Sequence, residues 1–168
     1  AWQTGPTFAV VPPLVASGEY GPAELSFAQQ RLWILDQLDP GGAAYVIAGG
    51  VELSGSLDVP ALERTLEALV KRHDSLRTVF EIVQGEPRQV VSEPVAWTLP
   101  MVDLASQIQA RERLRDLLRE EAAHVFDLAH GPLFRARLFR LEEGTHVLLL
   151  AMHHIISDGW SLRVLTHE

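Results

Sequence analysis

The side chains best suited to chemistry are two adjacent histidines and, a few residues on, an acid and a glycine: His153, His154, Asp158 and Gly159. An imidazole near neutral pH can take a proton from an attacking amine or hydroxyl, provided one ring nitrogen is kept free for it. Asp158, one short loop away, could fix the tautomer or pin the loop through an arginine. Neighbouring residues of a strand point to opposite faces, so only one histidine can face a given substrate and the other supports the backbone. Two other readings stand beside this one. Both histidines could be satisfied members of a core. His153, His154 and Asp158 could instead hold zinc, because three protein ligands including a carboxylate suffice for a catalytic site; opposed side chains make that arrangement awkward.

The elements that must position these residues can be read outward from them. Residues 147–152 are an uninterrupted apolar run, as expected of a strand buried on both faces, and they deliver the histidines at the strand's end. A loop closed by Gly159 then leads into a helix at Trp160 and Ser161. Residues 133–141 alternate apolar side chains with Arg135, Arg137 and Arg140, which predicts a half-buried strand joined to the apolar one by a turn over 142–144. Further upstream, Ser26 begins a helix with Gln29 completing a capping box. Phe27, Ile34, Leu35 and Leu38 follow at helical spacing, up to the stop at Asp39, Pro40, Gly41 and Gly42. Residues 45–53 read as a strand weakened by Gly49 and Gly50. Asp58 caps the next helix, which has Pro60 in its first turn and Leu62, Leu66, Leu69, Val70 and His73 as its stripe. Strands over 76–83 and 88–92 flank a turn at 84–87, and a charged helix over 106–123 carries Ile108, Leu114, Leu117 and Leu118 toward a core. The order predicts an α+β fold, a mixed sheet with helices covering one face. Residues 1–23, dense in proline and glycine, read as a leader or interdomain linker.

Composition bounds what this fold can do. The 168 residues suffice for one domain with its own core, and 47% hydrophobic with 21% charged is ordinary for a globular chain. With no cysteine, disulfides, thiolate metal sites and cysteine nucleophiles are excluded, which fits a cytoplasmic protein. A net charge of −8 without a basic run argues against nucleic acid as a partner. No apolar run approaches the roughly 18 residues needed to cross a bilayer, so no membrane association is expected. The chain begins with Ala1 rather than Met, and 161–168 read as the start of a helix cut short, so both ends look like boundaries within something longer.

Three segments narrow the function: 26–35, Ser-Phe-Ala-Gln-Gln-Arg-Leu-Trp-Ile-Leu; 72–80, Arg-His-Asp-Ser-Leu-Arg-Thr-Val-Phe; and 152–161, Met-His-His-Ile-Ile-Ser-Asp-Gly-Trp-Ser. In order and spacing they resemble the first three signature motifs of nonribosomal peptide synthetase condensation domains, and Phe126-Asp127-Leu128 with Gly131-Pro132-Leu133 resembles the stretch that links them. The resemblance runs from about Ala23 to the last residue; the one visible departure is Asp74, where the family usually has Glu.

The resemblance implies a chloramphenicol acetyltransferase-like fold of two lobes in a V with the active site in the tunnel between them. Family domains are more than twice this length, so 24–168 would be the N-terminal lobe with its second lobe absent. It implies His154 as the catalytic histidine and His153 as its mainly structural neighbour. Asp158 would be a structural acid whose usual arginine partner lies in the other lobe, and Gly159 would line the reaction centre with its backbone. Arg77 would brace the histidine loop, with Ser157 and Trp160 in supporting positions; for Arg31, Trp33 and Arg77 ordinary packing or surface charge is the alternative. The implied reaction is amide-forming acyl transfer in natural-product biosynthesis, between thioesters on the phosphopantetheine arms of upstream and downstream peptidyl carrier proteins. No cofactor or metal is bound by the chain itself. Neighbouring synthetase domains and the missing lobe are the other implied partners, and the open inter-lobe face leaves room for self-association. Both histidines and Trp160-Ser161 fit a condensing enzyme better than heterocyclising or epimerising relatives. The alternatives are a non-catalytic carrier-docking lobe, or another acyltransferase sharing only the His-x-x-x-Asp-Gly motif.

Overall fold

The apolar run at 147–152 lies where its composition requires, inside a sheet with a strand on either side. The computed structural model describes residues 21–40 and 42–168. The chain runs β1 (Ala23–Glu24), α1 (Phe27–Leu38), β2 (Val46–Ser54), α2 (Val59–Arg72), a short 3-10 helix (Asp74–Arg77), β3 (Thr78–Val83), β4 (Glu86–Val91), β5 (Met101–Asp103), α3 (Ala110–Ala122), β6 (Phe134–Glu142), β7 (Thr145–His153) and α4 (Gly159–His167). A four-stranded sheet has the order β2-β7-β6-β5, and a smaller one the order β1-β4-β3. β7 is antiparallel to both β2 and β6, while β5 joins β6 in parallel, so the sheet is mixed.

Alternation along β6 and β7 sorts the core into two. Phe134, Ala136, Leu138, Leu148 and Met152 pack with Leu66 and Leu69 of α2. Phe139, Leu141, Val147 and Leu149 pack with Leu114 and Leu117 of α3. Helices therefore cover both faces of this sheet, not one as the element order suggested, because the central strands are apolar on both sides. The end of α3 is tied down by the buried Glu121, which pairs with Arg137 at 2.7 Å and Arg135 at 3.3 Å.

Local chemistry sets the element ends. Ser26 and Gln29 form the expected capping box, and Asp58 accepts the N–H of Ala61 at 2.9 Å. Gln84 and Gly85 both have positive φ and join β3 to β4 as a two-residue hairpin whose backbone twist suits the strands.

Several sequence expectations are corrected. The segment 76–83 is not all strand: Leu76 and Arg77 belong to the 3-10 helix, whose Leu76 side chain is buried. The return strand begins earlier, at Glu86. α1 turns Leu32 and Trp33 to the core, leaving Phe27 (91% exposed), Ile34 and Leu38 in solvent; buried Leu25 just before the helix sets that face. α3 starts only at Ala110, so Ile108 lies in the preceding loop, 97% exposed. β5 and β1, three and two residues long, are too short to show a periodicity. Most of the proline-rich leader lies outside the described residues; its last residue, Ala23, is in β1, paired with Gln89.

Leu138 has no exposed surface and faces Leu148 across β6 and β7. Leu138→Ala should therefore lower unfolding free energy by about 2–5 kcal/mol, the usual cost of a large core truncation. Urea denaturation checks this, and a loss within the error of wild type would show that the packing here is not what holds the sheet.

Candidate active site

The loop after β7 is fixed from both sides before any side chain acts. The N–H of His153 donates to the Leu133 carbonyl at 3.0 Å, and the N–H of His154 donates to the Tyr45 carbonyl at 2.8 Å. Leu133 leads into β6 and Tyr45 leads into β2, so the two neighbours of β7 clamp successive residues at its end. The turn then closes on itself, with the N–H of Ile156 donating to the His153 carbonyl at 3.2 Å.

His153 is buried, 4% exposed, between the rings of Tyr45 and Phe126, each with its centroid 6.4 Å away. Its Nδ1 accepts the N–H of Ile155 at 3.1 Å. A nitrogen that accepts carries no proton, so the ring is the Nε2–H tautomer. Burial, and then the neighbouring His154, push its pKa down to about 4.

His154 faces solvent. Its Nδ1 lies 2.6 Å from the Ser157 carbonyl. A carbonyl only accepts, so Nδ1 carries the proton and the lone pair of Nε2 is left for chemistry. Two adjacent histidines are thus held in opposite tautomers, each by a main-chain group. The buried one supports the loop; the exposed one has the geometry of a general base.

Asp158 does not bond His154, so the expectation that it fixes the tautomer is corrected. It is the N-cap of α4, accepting from the Ser161 N–H and the Ser161 hydroxyl, both at 2.8 Å. Those bonds, the backbone one first, hold its pKa below the ordinary carboxylate value. Leu162 N–H bonds the Asp158 carbonyl at 3.2 Å. Among the first amides of α4, that of Gly159 is the one not engaged by Asp158, and a Cβ added at Gly159 would touch nothing within 4 Å. Ser157 is buried and gives the carbonyl that orients His154. Trp160 is 72% exposed, with the Arg163 guanidinium 5.9 Å from its ring centroid.

Arg77 stands apart, a second correction. Its guanidinium bonds the Val70 carbonyl at 3.1 Å, the Lys71 carbonyl at 3.4 Å, the Ser92 carbonyl and the Asp74 carboxylate. It thus seals the C-terminal carbonyls of α2, which a cation at a helix end suits, and bonds nothing in the histidine loop. Trp33 packs on the core and Arg31 is exposed. Tyr45 and Leu133 were not foreseen as site residues: they act through carbonyls, and only the aromatic beside a strand start could have pointed to Tyr45. Among the described residues no three of His, Cys, Asp and Glu are grouped to hold a metal ion, and no helix is long and apolar enough to cross a membrane.

Fold and site together define an α+β unit presenting one tautomer-fixed histidine at the end of its inner strand. A family model for the condensation domain matches residues 20–168, and the chain belongs to that family. Malpibaldin synthetase of Mortierella alpina is 45% identical over 149 residues, 88% of this chain and 3% of that protein. Cyclosporin synthetase of Tolypocladium inflatum is 43% identical over 156 residues, 93% of this chain and 1% of that one. The starter condensation domain of rhizomide synthetase matches with a TM-score of 0.81 at 27% identity, over 86% of this chain and 35% of that chain. The first condensation domain of the calcium-dependent antibiotic synthetase gives 0.78 at 27% identity, again over 86% and 35%. The chain thus spans about a third of the solved domains, and over that part it shares their chloramphenicol acetyltransferase-like fold.

His153 makes stability depend on pH. Folding lowers its pKa from 6.5 to about 4, so between those values the unfolded chain binds the extra proton. The contribution is complete above pH 6.5, falls as pH drops toward 4 and is constant below. Its full size is about 3 kcal/mol. His153→Asn keeps an acceptor for Ile155 N–H without a titrating group, so unfolding free energies of the two proteins should converge from about pH 7 to pH 4. Parallel curves would refute the buried neutral state.

Proposed function

We propose that this chain is the N-terminal lobe of an amide-forming condensation domain that works within a longer nonribosomal peptide synthetase. The observation that carries the reading is the His154 ring, solvent-facing, with Nδ1 held by the Ser157 carbonyl and Nε2 free. Membership in the condensation domain family supports it.

The donor is an acyl or peptidyl thioester and the acceptor an aminoacyl thioester, each on the phosphopantetheine arm of a carrier protein. The acceptor nitrogen attacks the donor carbonyl carbon; the C–N bond forms, the C–S bond breaks and the thiolate leaves with the electron pair. Nε2 of His154 takes the proton lost by the amine, or positions that amine and stabilises the zwitterionic intermediate, and the leaving thiolate is protonated as the step closes. A thioester is already activated, so no enzyme nucleophile is needed. The amide of Gly159, at the positive end of α4, is suited to the developing oxyanion. Asp158 serves by capping α4 and so fixing where that amide points.

The carriers and the flanking synthetase domains are the partners this reaction requires. The other wall of the site belongs to polypeptide beyond this lobe. Phe27, Ile34, Leu38 and Trp160 leave exposed apolar surface for it, and for self-association when it is missing. A carrier-docking lobe without catalysis would not need a histidine with a free Nε2.

The test is His154→Ala in the full-length synthetase, assayed with loaded donor and acceptor carriers. The His154 backbone bond to Tyr45 survives the change, so the melting temperature should hold while amide formation falls about 10²- to 10⁴-fold. The 168-residue chain alone should bind carriers without turnover, because positioning is lost with the second wall. Normal turnover by His154→Ala, or condensation by the lone lobe, would overturn the corresponding part of the reading.

A further inference from the structure

In the proposed reaction α4 acts through its first amide, that of Gly159, so the direction of the helix axis matters. Asp158 caps the start of the helix. Along its length Leu162 and Leu165 pack on the core. Two apolar anchors press a nine-residue helix down, but hydrophobic contact is non-directional and resists sliding or tilting only weakly. The far end carries a directional bond. Glu168 moves with the helix, because its N–H donates to the Val164 carbonyl at 3.2 Å. Its carboxylate lies 2.9 Å from Nε2 of His73; a carboxylate accepts, so that nitrogen carries the proton. Arg72 stands 3.6 Å from the same oxygen. The His73 bond, with a smaller pull from Arg72, holds the Glu168 carboxyl below its ordinary value, so it is ionised at neutral pH.

His73 is a firm mount for that bond. It is the C-cap of α2: its N–H donates to the Leu69 carbonyl at 3.0 Å, and its carbonyl accepts the Leu76 N–H at 3.0 Å. Arg77 locks the same corner, bonding the Val70 and Lys71 carbonyls on one side of His73 and the Asp74 carboxylate on the other. The segment 72–80 therefore meets the helix that follows the histidine loop, across 95 positions of sequence. A bond between partly exposed partners adds little to stability. What it supplies here is direction.

We propose that His73 is a positioning residue, which through Glu168 fixes the axis of α4 and with it the aim of the Gly159 amide. The proposal rests on the condensation reading. A donor to an oxyanion works only when it is aimed at where the charge develops. That charge exists in the transition state and not in the bound substrates, so a lost aim lowers kcat and leaves KM in place. A merely structural residue would instead lower the melting temperature, and a substrate contact would raise KM.

The experiment measures kcat and KM of the full-length synthetase with loaded donor and acceptor carriers, alongside the melting temperature. His73→Ala should lower kcat about tenfold or more, part of the roughly 10²- to 10³-fold that loss of a whole oxyanion donor costs, with KM and melting temperature nearly unchanged. His73→Gln keeps an N–H near the place of Nε2 and should recover most of kcat. Glu168→Ala should reproduce His73→Ala, and the double variant should be no worse than either single one, as for two partners in one interaction. Glu168→Ala also covers the case in which His73→Ala fails to fold. An unchanged kcat, a loss that His73→Gln does not recover, additive losses in the double variant, or a raised KM with kcat intact would overturn the positioning role while leaving the condensation reading standing. A wild type that forms no amide would sink the reading itself, and the role with it.

Discussion

The constraint on which the rest depends is that β7 is an inner strand, hydrogen-bonded on both sides through to its last residue. β2 registers against all nine of its residues, from Val46 opposite His153 to Ser54 opposite Thr145. Beyond the last pairs, Tyr45 and Leu133 still supply carbonyls to His154 and His153. A strand held this way has no freedom to fray where it turns into the loop, although strand ends ordinarily do so. The apolar run that makes β7 an inner strand is therefore also what makes its end a rigid mount for a reactive group.

From that mount the two imidazoles diverge because their surroundings differ in water. His153 is enclosed by Tyr45 and Phe126, and charging it there means desolvating a cation with no carboxylate at hand. Neutrality lets its Nδ1 accept Ile155 N–H, which fixes the first step of the turn. That turn brings the Ser157 carbonyl back to His154. The tautomer of the exposed ring is thus set at one remove by the protonation state of the buried one.

How much of this was legible depended on whether a feature acts through a side chain or through the backbone. The capping box of α1, the inner strand, the helix starts at Phe27 and Val59 and the position of the histidines follow from side-chain type and spacing, and the structure has them. The faces of α1 were misjudged because Phe27, Ile34 and Leu38 fit a helical stripe as well as Leu32 and Trp33 do; tertiary position decides, and buried Leu25 is the only hint. Ile108 fits the period of α3 but precedes its first turn. The bracing role that the resemblance implied for Arg77 is not what its bonds serve: its guanidinium is taken up by the carbonyls ending α2. The carbonyls of Tyr45, Leu133 and Ser157 left no trace in the sequence, because any residue has one.

This division has a consequence for which substitutions the site can absorb. If main-chain groups orient both rings, then Tyr45, Leu133 and Ser157 are constrained by shape and burial rather than by functional-group chemistry. His153 is constrained by needing an acceptor at one ring position and no charge. In the proposed reaction, only His154, through its free Nε2, and Gly159, beside whose amide the space is open, would be constrained by the chemistry itself. Asp158 sits between the two groups. Its carboxylate engages the amides of Trp160 and Ser161 and so leaves Gly159's amide as the one not taken up by the cap. On the proposed reading, a cap and the surroundings of the reacting groups are thereby built from the same residue, and a neutral cap such as Asn at this position would preserve the helix while removing a negative charge from beside His154 and the Gly159 amide.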